Sequence, residues 1–110
     1  MLPAQVLKNM YTPNNQFMVD FTLPERLCEE FVDLIPYQRA VVDRYLSEGK
    51  LINYALSLEN AKVWAVFNAN SEMEVREMLM DFPLTRFMEV EVCMLTSFNS
   101  SEFEPSFSLN

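Results

Sequence analysis

The chain has 110 residues, half of them apolar, with a formal net charge of −8, one glycine, two cysteines and no histidine. That length suits one domain with a small core. The negative charge, with no basic cluster to offset it, excludes a nucleic-acid surface, and the lack of histidine excludes Ser-His-Asp triads, Cys-His pairs and histidine-based zinc sites.

Residues 1–15 hold two prolines and a TPNNQ turn cluster, and read as a flexible arm without the long apolar core of a signal peptide. In QFMVDFTL, Phe17, Val19, Phe21 and Leu23 alternate with Gln16, Met18, Asp20 and Thr22, which predicts a first strand with one strongly apolar face. Thr22 and Glu25 have capping-box spacing and predict a helix from that point to Gly49. Its stripe is Leu27, Phe31, Leu34, Ile35, Gln38, Val42, Tyr45 and Leu46, and Pro36 predicts a kink or a division into two.

KLINYALSL and KVWAVFNA, joined through Glu59 and Asn60, predict a hairpin. Ser71 and Glu74 repeat the capping-box spacing before a second helix with Val75, Met78, Leu79 and Phe82 as its stripe, stopped at Pro83. A last strand is expected over about residues 85–97. The order is βαββαβ, and the expected class is α+β: a ferredoxin-like domain over residues 16–97, with a four-stranded antiparallel sheet and both helices on one face. In the tail, residues 98–110, Phe98, Phe103, Phe107 and Leu109 fit neither period and are expected to dock on a neighbouring subunit, if the tail is not free.

Nine phenylalanines, four tyrosines, one tryptophan and eight methionines exceed what so small a core hides. Apolar surface buried between copies, in a homodimer or higher homo-oligomer, is therefore expected. Cys28 and Cys93 lie far apart, no run is long and apolar enough for a bilayer, and a soluble protein of the reducing cytoplasm follows. Cys93 is expected to act as a small buried hydrophobe, and Met73, Met78, Met80, Met88 and Met94 to fill gaps between helices and sheet.

The last strand places Glu89 and Glu91 on the face opposite Met88, Val90, Val92 and Met94. Strands one and four are neighbours in this topology, so Asp20 joins the glutamates. Trp64, and Asn53 or Tyr54 according to the register of the hairpin, complete the candidate surface with Met18. One outcome is a wet rim between subunits, with the carboxylates paired to Arg39, Arg44 or Arg86. The other is a shared pocket in which crowded carboxylates exchange a proton with a ligand, Glu91 foremost.

The string SEGKLINYALSL…KVWAVF…MLMDFPLTRFMEVEVCML resembles the muconolactone Δ-isomerase family over about Phe17 to Leu95. The similarity is densest at Glu48-Gly49, Val66-Phe67, Leu79-Met80, Pro83-Leu84 and Phe87 through Val92. It implies a dimeric α/β-barrel, assembly through dimers, and proton movement within an unsaturated lactone without cofactor or metal. The candidate catalytic residues are then Glu91, Glu89 and Asp20, and the candidate ligand-binding residues Tyr54, Trp64, Met18 and Asn53. The alternatives are a non-catalytic small-ligand-binding or assembly module on the same scaffold, and a cofactor-independent monooxygenase.

Overall fold

The computed structural model describes residues 15–99. All of the expected arm over residues 1–15 except Asn15, which opens the first strand, and the tail positions Phe103, Phe107 and Leu109 lie outside them. Strands β1 (Asn15–Thr22), β2 (Leu51–Ser57), β3 (Lys62–Ala69) and β4 (Glu89–Met94) alternate with helices α1 (Glu29–Ser47) and α2 (Glu72–Leu79) in the order βαββαβ. The sheet is antiparallel with strand order β2-β3-β1-β4, the ferredoxin-like α+β arrangement. No helix among the described residues is long and apolar enough to cross a membrane.

Alternation along β1 buries Phe17, Val19 and Phe21, which meet Val63, Ala65, Phe67 and Ala69 of β3 beneath the helices. Val42 and Tyr45 of α1, Val75 and Leu79 of α2, and Phe82 close this core. Tyr45, Phe67 and Phe82 pack with ring centroids 4.9–6.5 Å apart in tilted and edge-on arrangements, the geometry that aromatic quadrupoles favour.

Three local expectations are corrected. Thr22 does not cap α1, because it lies within β1 and its hydroxyl accepts from Lys62 Nζ at 2.9 Å, while the Leu23 amide donates to the Ala61 carbonyl. The helix starts seven residues later, at Glu29, behind Cys28, which makes no side-chain capping bond. Pro36 lies inside one continuous α1, so of the two forms expected there the division is excluded. The carbonyl that its missing N–H leaves free is that of Val32, on the solvent side of the helix where Val32, Pro36 and Tyr37 are exposed, so water can satisfy it. The last strand is shorter than expected, because residues 85–87 form a 3₁₀ turn closed by the Thr85 hydroxyl donating to the Leu79 carbonyl.

Other details follow the sequence. The Ser71 hydroxyl accepts from the Glu74 amide at 3.1 Å at the start of α2. Gly49 takes φ +75° just beyond α1, where a left-handed residue ends the helix. The methionine expectation is met at two of five positions: Met78 and Met88 pack against the core, whereas Met73, Met80 and Met94 are exposed.

Candidate functional site

Strand register sorts the expected site residues into two groups. On the face turned away from the helices, directly paired residues form rows across the sheet. Ala55, Trp64, Asp20 and Glu91 make one row, Asn53, Val66, Met18 and Cys93 a second, and Ser57, Lys62, Thr22 and Glu89 a third. Asp20, Glu89 and Glu91 therefore share a face with Trp64, Met18 and Asn53, as the alternation predicts.

Tyr54 is not among them. The register of the β2–β3 pair shifts between Leu51 and Asn53, after which Tyr54 sits opposite Ala65 and Leu56 opposite Val63, both on the helix side. The single surface expected from sequence is thus two surfaces on opposite sides of one sheet.

The carboxylate face is open in the single chain. Glu89, Glu91 and Cys93 are exposed, so Cys93 is not the buried hydrophobe its neighbours suggested; Trp64, Met18 and Asp20 are half-buried. Within one chain, and among the described residues, none of Arg39, Arg44 and Arg86 lies within 4 Å of these carboxylates. Asp20 binds Lys62 across the strands at 2.9 Å, Arg44 lies 3.8 Å from Asp81, and Arg86 pairs with Glu30. Among the described residues, one lysine faces three carboxylates there.

The helix side holds a cavity of about 300 Å³. Its walls come from α1 (Phe31, Ile35, Val42), from the hairpin (Leu56, Leu58, Val63), from Leu23 and Leu27 ahead of α1, and from Leu84 and Met88 ahead of β4. Its polar side chains are Gln38, Arg39 and Tyr54. A wider groove of about 540 Å³, lined mainly by α2 and the segment after it with Leu34 of α1 and Val90 of β4, is more open to solvent, and its two arginines, Arg76 and Arg86, are already paired with Glu72 and Glu30.

Gln38 organises the polar end of the cavity. It is the one buried polar residue among the described residues, only 4% exposed. Its Oε1 accepts from the Leu84 amide at 3.0 Å, which orients its Nε2 to donate to Tyr54 Oη, also at 3.0 Å. Tyr54 Oη thereby receives a hydrogen bond, and its own hydrogen remains free to donate into the cavity. Burial pushes the Tyr54 phenol above its ordinary value of 10.0, against the opposing effects of the Gln38 hydrogen bond and the Arg39 charge. At neutral pH the group is a neutral donor in largely apolar surroundings.

Sequence reasoning placed Gln38 in the buried stripe of α1 without giving it a role, and linked Arg39 only to the carboxylates. The signal present in the sequence was a lone amide at a core position of the stripe, which must find partners when buried.

The family model described as muconolactone delta-isomerase matches residues 16–101. Among solved structures, the chain is similar to muconolactone isomerase, with 24% identity, 77% of this chain and 96% of that chain covered, and a TM-score of 0.62. It is also similar to a transcriptional regulatory protein of the AsnC family from Pyrococcus furiosus, with 14% identity, 86% of this chain and 58% of that chain covered, and a TM-score of 0.52. At these identities the structural likeness carries the fold alone. None of the curated proteins matches the chain.

Proposed function

The chain belongs to the muconolactone delta-isomerase family, and on that footing we propose that it is a muconolactone isomerase-like protein that binds a small organic molecule in the helix-side cavity and promotes a proton shift within it, without a cofactor. The observation that carries this reading is the Leu84–Gln38–Tyr54 chain of hydrogen bonds, which leaves one phenolic hydrogen free at a largely apolar cavity.

When an unsaturated lactone loses a proton from carbon, negative charge develops on the carbonyl oxygen. A donor held at that oxygen stabilises the enolate-like state, and it does so best where water is scarce. Tyr54 would supply this hydrogen bond, and burial keeps its proton in place. Among the described residues, the cavity wall carries no carboxylate. Its residues thus provide the acid side of the reaction: a hydroxide ion entering through the mouth takes the proton from carbon and becomes water, and a water molecule returns a proton at the new carbon and regenerates hydroxide. The rate should rise with pH until Tyr54 itself ionises, above its ordinary value of 10.0.

A second reading has its own support in the direct pairing of Glu91 with Asp20 and of Asp20 with Trp64. If a second copy covers this face, as the aromatic-rich composition favours, Glu91 with Glu89 and Asp20 would move the proton, and Trp64, Met18 and Asn53 would shape the ligand site. In either case we propose a homo-oligomer of the cytoplasm, with Cys28 and Cys93 as free thiols and no role in binding nucleic acid or membrane.

The deciding experiment follows muconolactone isomerisation by NMR in deuterated water with Tyr54→Phe and Glu91→Gln, each checked for fold by circular dichroism. Loss of about tenfold or more in Tyr54→Phe with Glu91→Gln unaffected supports the cavity. The reverse pattern transfers the chemistry to the carboxylate row. Binding without turnover in the wild type would mean a binding module on the same scaffold.

A further inference from the structure

Resting on the cavity as the ligand site, we infer that its preferred ligand is a monocarboxylic acid with an extended apolar body, seated with its carboxylate on Arg39. Two independent features of the cavity carry this, one of charge and one of surface.

The charge feature is Arg39. Of the basic side chains among the described residues, Arg44, Lys50, Lys62, Arg76 and Arg86 each lie within 4 Å of a carboxylate. Arg26 and Arg39 have no such partner among those residues, and of these two only Arg39 lines the cavity. In a chain whose formal net charge is −8, a guanidinium with no carboxylate partner among the described residues, beside an apolar recess, is the local place for an anion. Its planar fork matches a carboxylate in two parallel hydrogen bonds. Arg39 is itself exposed, whereas Gln38, next to it on α1, is buried. The cation therefore sits towards solvent, and the charged end of a ligand would keep part of its hydration.

The surface feature is the rim. Leu27, Ile35, Leu56 and Leu58 line the cavity yet are 46%, 44%, 58% and 74% exposed. Four aliphatic side chains from the segment before α1, from α1 itself and from the hairpin thus continue the apolar wall outwards. A compact polar lactone would leave most of that wall against water. An alkyl or aryl body reaching inward past Ile35 and Leu56 would cover it, and each methylene taken out of water adds up to about fourfold in affinity. Tyr54 then serves any second oxygen the ligand carries.

The test is isothermal titration of the full chain with hexanoate, octanoate and decanoate, with decanol as the uncharged control and muconolactone as the polar one. Two variants are compared, Arg39→Gln and Leu56→Trp, both at exposed positions, and both are checked for unchanged circular dichroism. The expected results are affinity rising along the acid series, decanoate favoured over decanol by about tenfold as for a charge-assisted pair, that preference lost in Arg39→Gln with decanol binding unchanged, and all binding weakened in Leu56→Trp, where the larger ring narrows the mouth.

Decanoate binding no better than decanol, or a preference that survives Arg39→Gln, would overturn the assignment of the acid to Arg39. Muconolactone binding that Leu56→Trp weakens, with no binding of the alkanoates, would overturn the apolar class and leave the cavity as the site. Binding of every ligand that Leu56→Trp leaves untouched would remove the cavity from both proposals.

Discussion

Gln38 on α1 and Tyr54 on β2 are joined by a hydrogen bond of 3.0 Å from the amide to the phenol, and the same amide group accepts from the Leu84 backbone at 3.0 Å. One side chain thus ties the first helix, the hairpin and the segment leading into β4 around a cavity. Gln38→Leu leaves the Leu84 amide without a partner in a buried position. We expect a loss of about 1–3 kcal/mol in urea denaturation, the cost of an unsatisfied buried donor. Gln38→Glu, which keeps an acceptor for Leu84 when ionised, should behave differently: it also sets a carboxylate beside Tyr54 and should raise the phenol further, visible as later ionisation in an ultraviolet titration.

Tyr54→Phe should cost about 1–3 kcal/mol, since the ring stays but the buried Gln38 Nε2 loses its acceptor. Its effect on ligands should depend on their chemistry. A carbonyl-bearing ligand should lose about tenfold in affinity, and a pure hydrocarbon acid should lose little. Titration calorimetry of the two ligand types side by side checks this.

Tyr45 donates to Asp81 Oδ2 at 2.5 Å across the ends of α1 and α2. Burial first, and then the Asp81 carboxylate, raise its phenol to about 12 from an ordinary 10.0. The folded protein therefore holds this proton over a range in which the unfolded chain releases it. The stabilisation is complete below pH 10.0 and is lost as pH climbs through about 12. Urea midpoints should fall over this range in the wild type and fall less steeply in Tyr45→Phe, which has no proton to lose there.

Two backbone positions make a matched pair. Gly49 has φ +75° with open space where a methyl group would project, and Ala61 has φ 54° in the hairpin turn. Gly49→Ala should destabilise by about 1 kcal/mol through backbone strain alone, and Ala61→Gly should stabilise by up to about 1 kcal/mol by relieving it. Thermal denaturation of both variants reads the two signs.

Asp20, Glu89 and Glu91 share the sheet face that we propose a second copy covers, with Lys62 as the cation there. Two such faces brought together repel. Glu89→Gln with Glu91→Gln should tighten self-association by severalfold and reduce its salt dependence, measured by sedimentation equilibrium at low and high salt. If the double variant and the wild type are both monomers at every concentration, the face is not an interface between copies.

How much could be read from the residues depends on how local the cause was. Alternation in QFMVDFTL and in MEVEVCM separates core from carboxylates because a strand turns successive side chains to opposite faces, and the structure keeps Asp20 with Glu89 and Glu91 for that reason. Gly49 and the Ser71 cap were legible because each answers a need within one helix turn. The Thr22 cap was not what it resembled, since a hydroxyl with the right spacing was claimed by Lys62 from another strand.

The amino-acid order by itself determined the βαββαβ succession, the apolar faces of the first and last strands and the grouping of three carboxylates, all of which follow from periods two and three-and-a-half along the backbone. Only the tertiary structure decided that Tyr54 leaves that group, that Gln38 and Leu84 hold it, and that Arg39 borders a cavity without a carboxylate partner among the described residues. The reason is physical. A one-residue shift in strand pairing reverses which face a side chain takes, and pairing is set by contacts between segments distant in the chain, which no local period records.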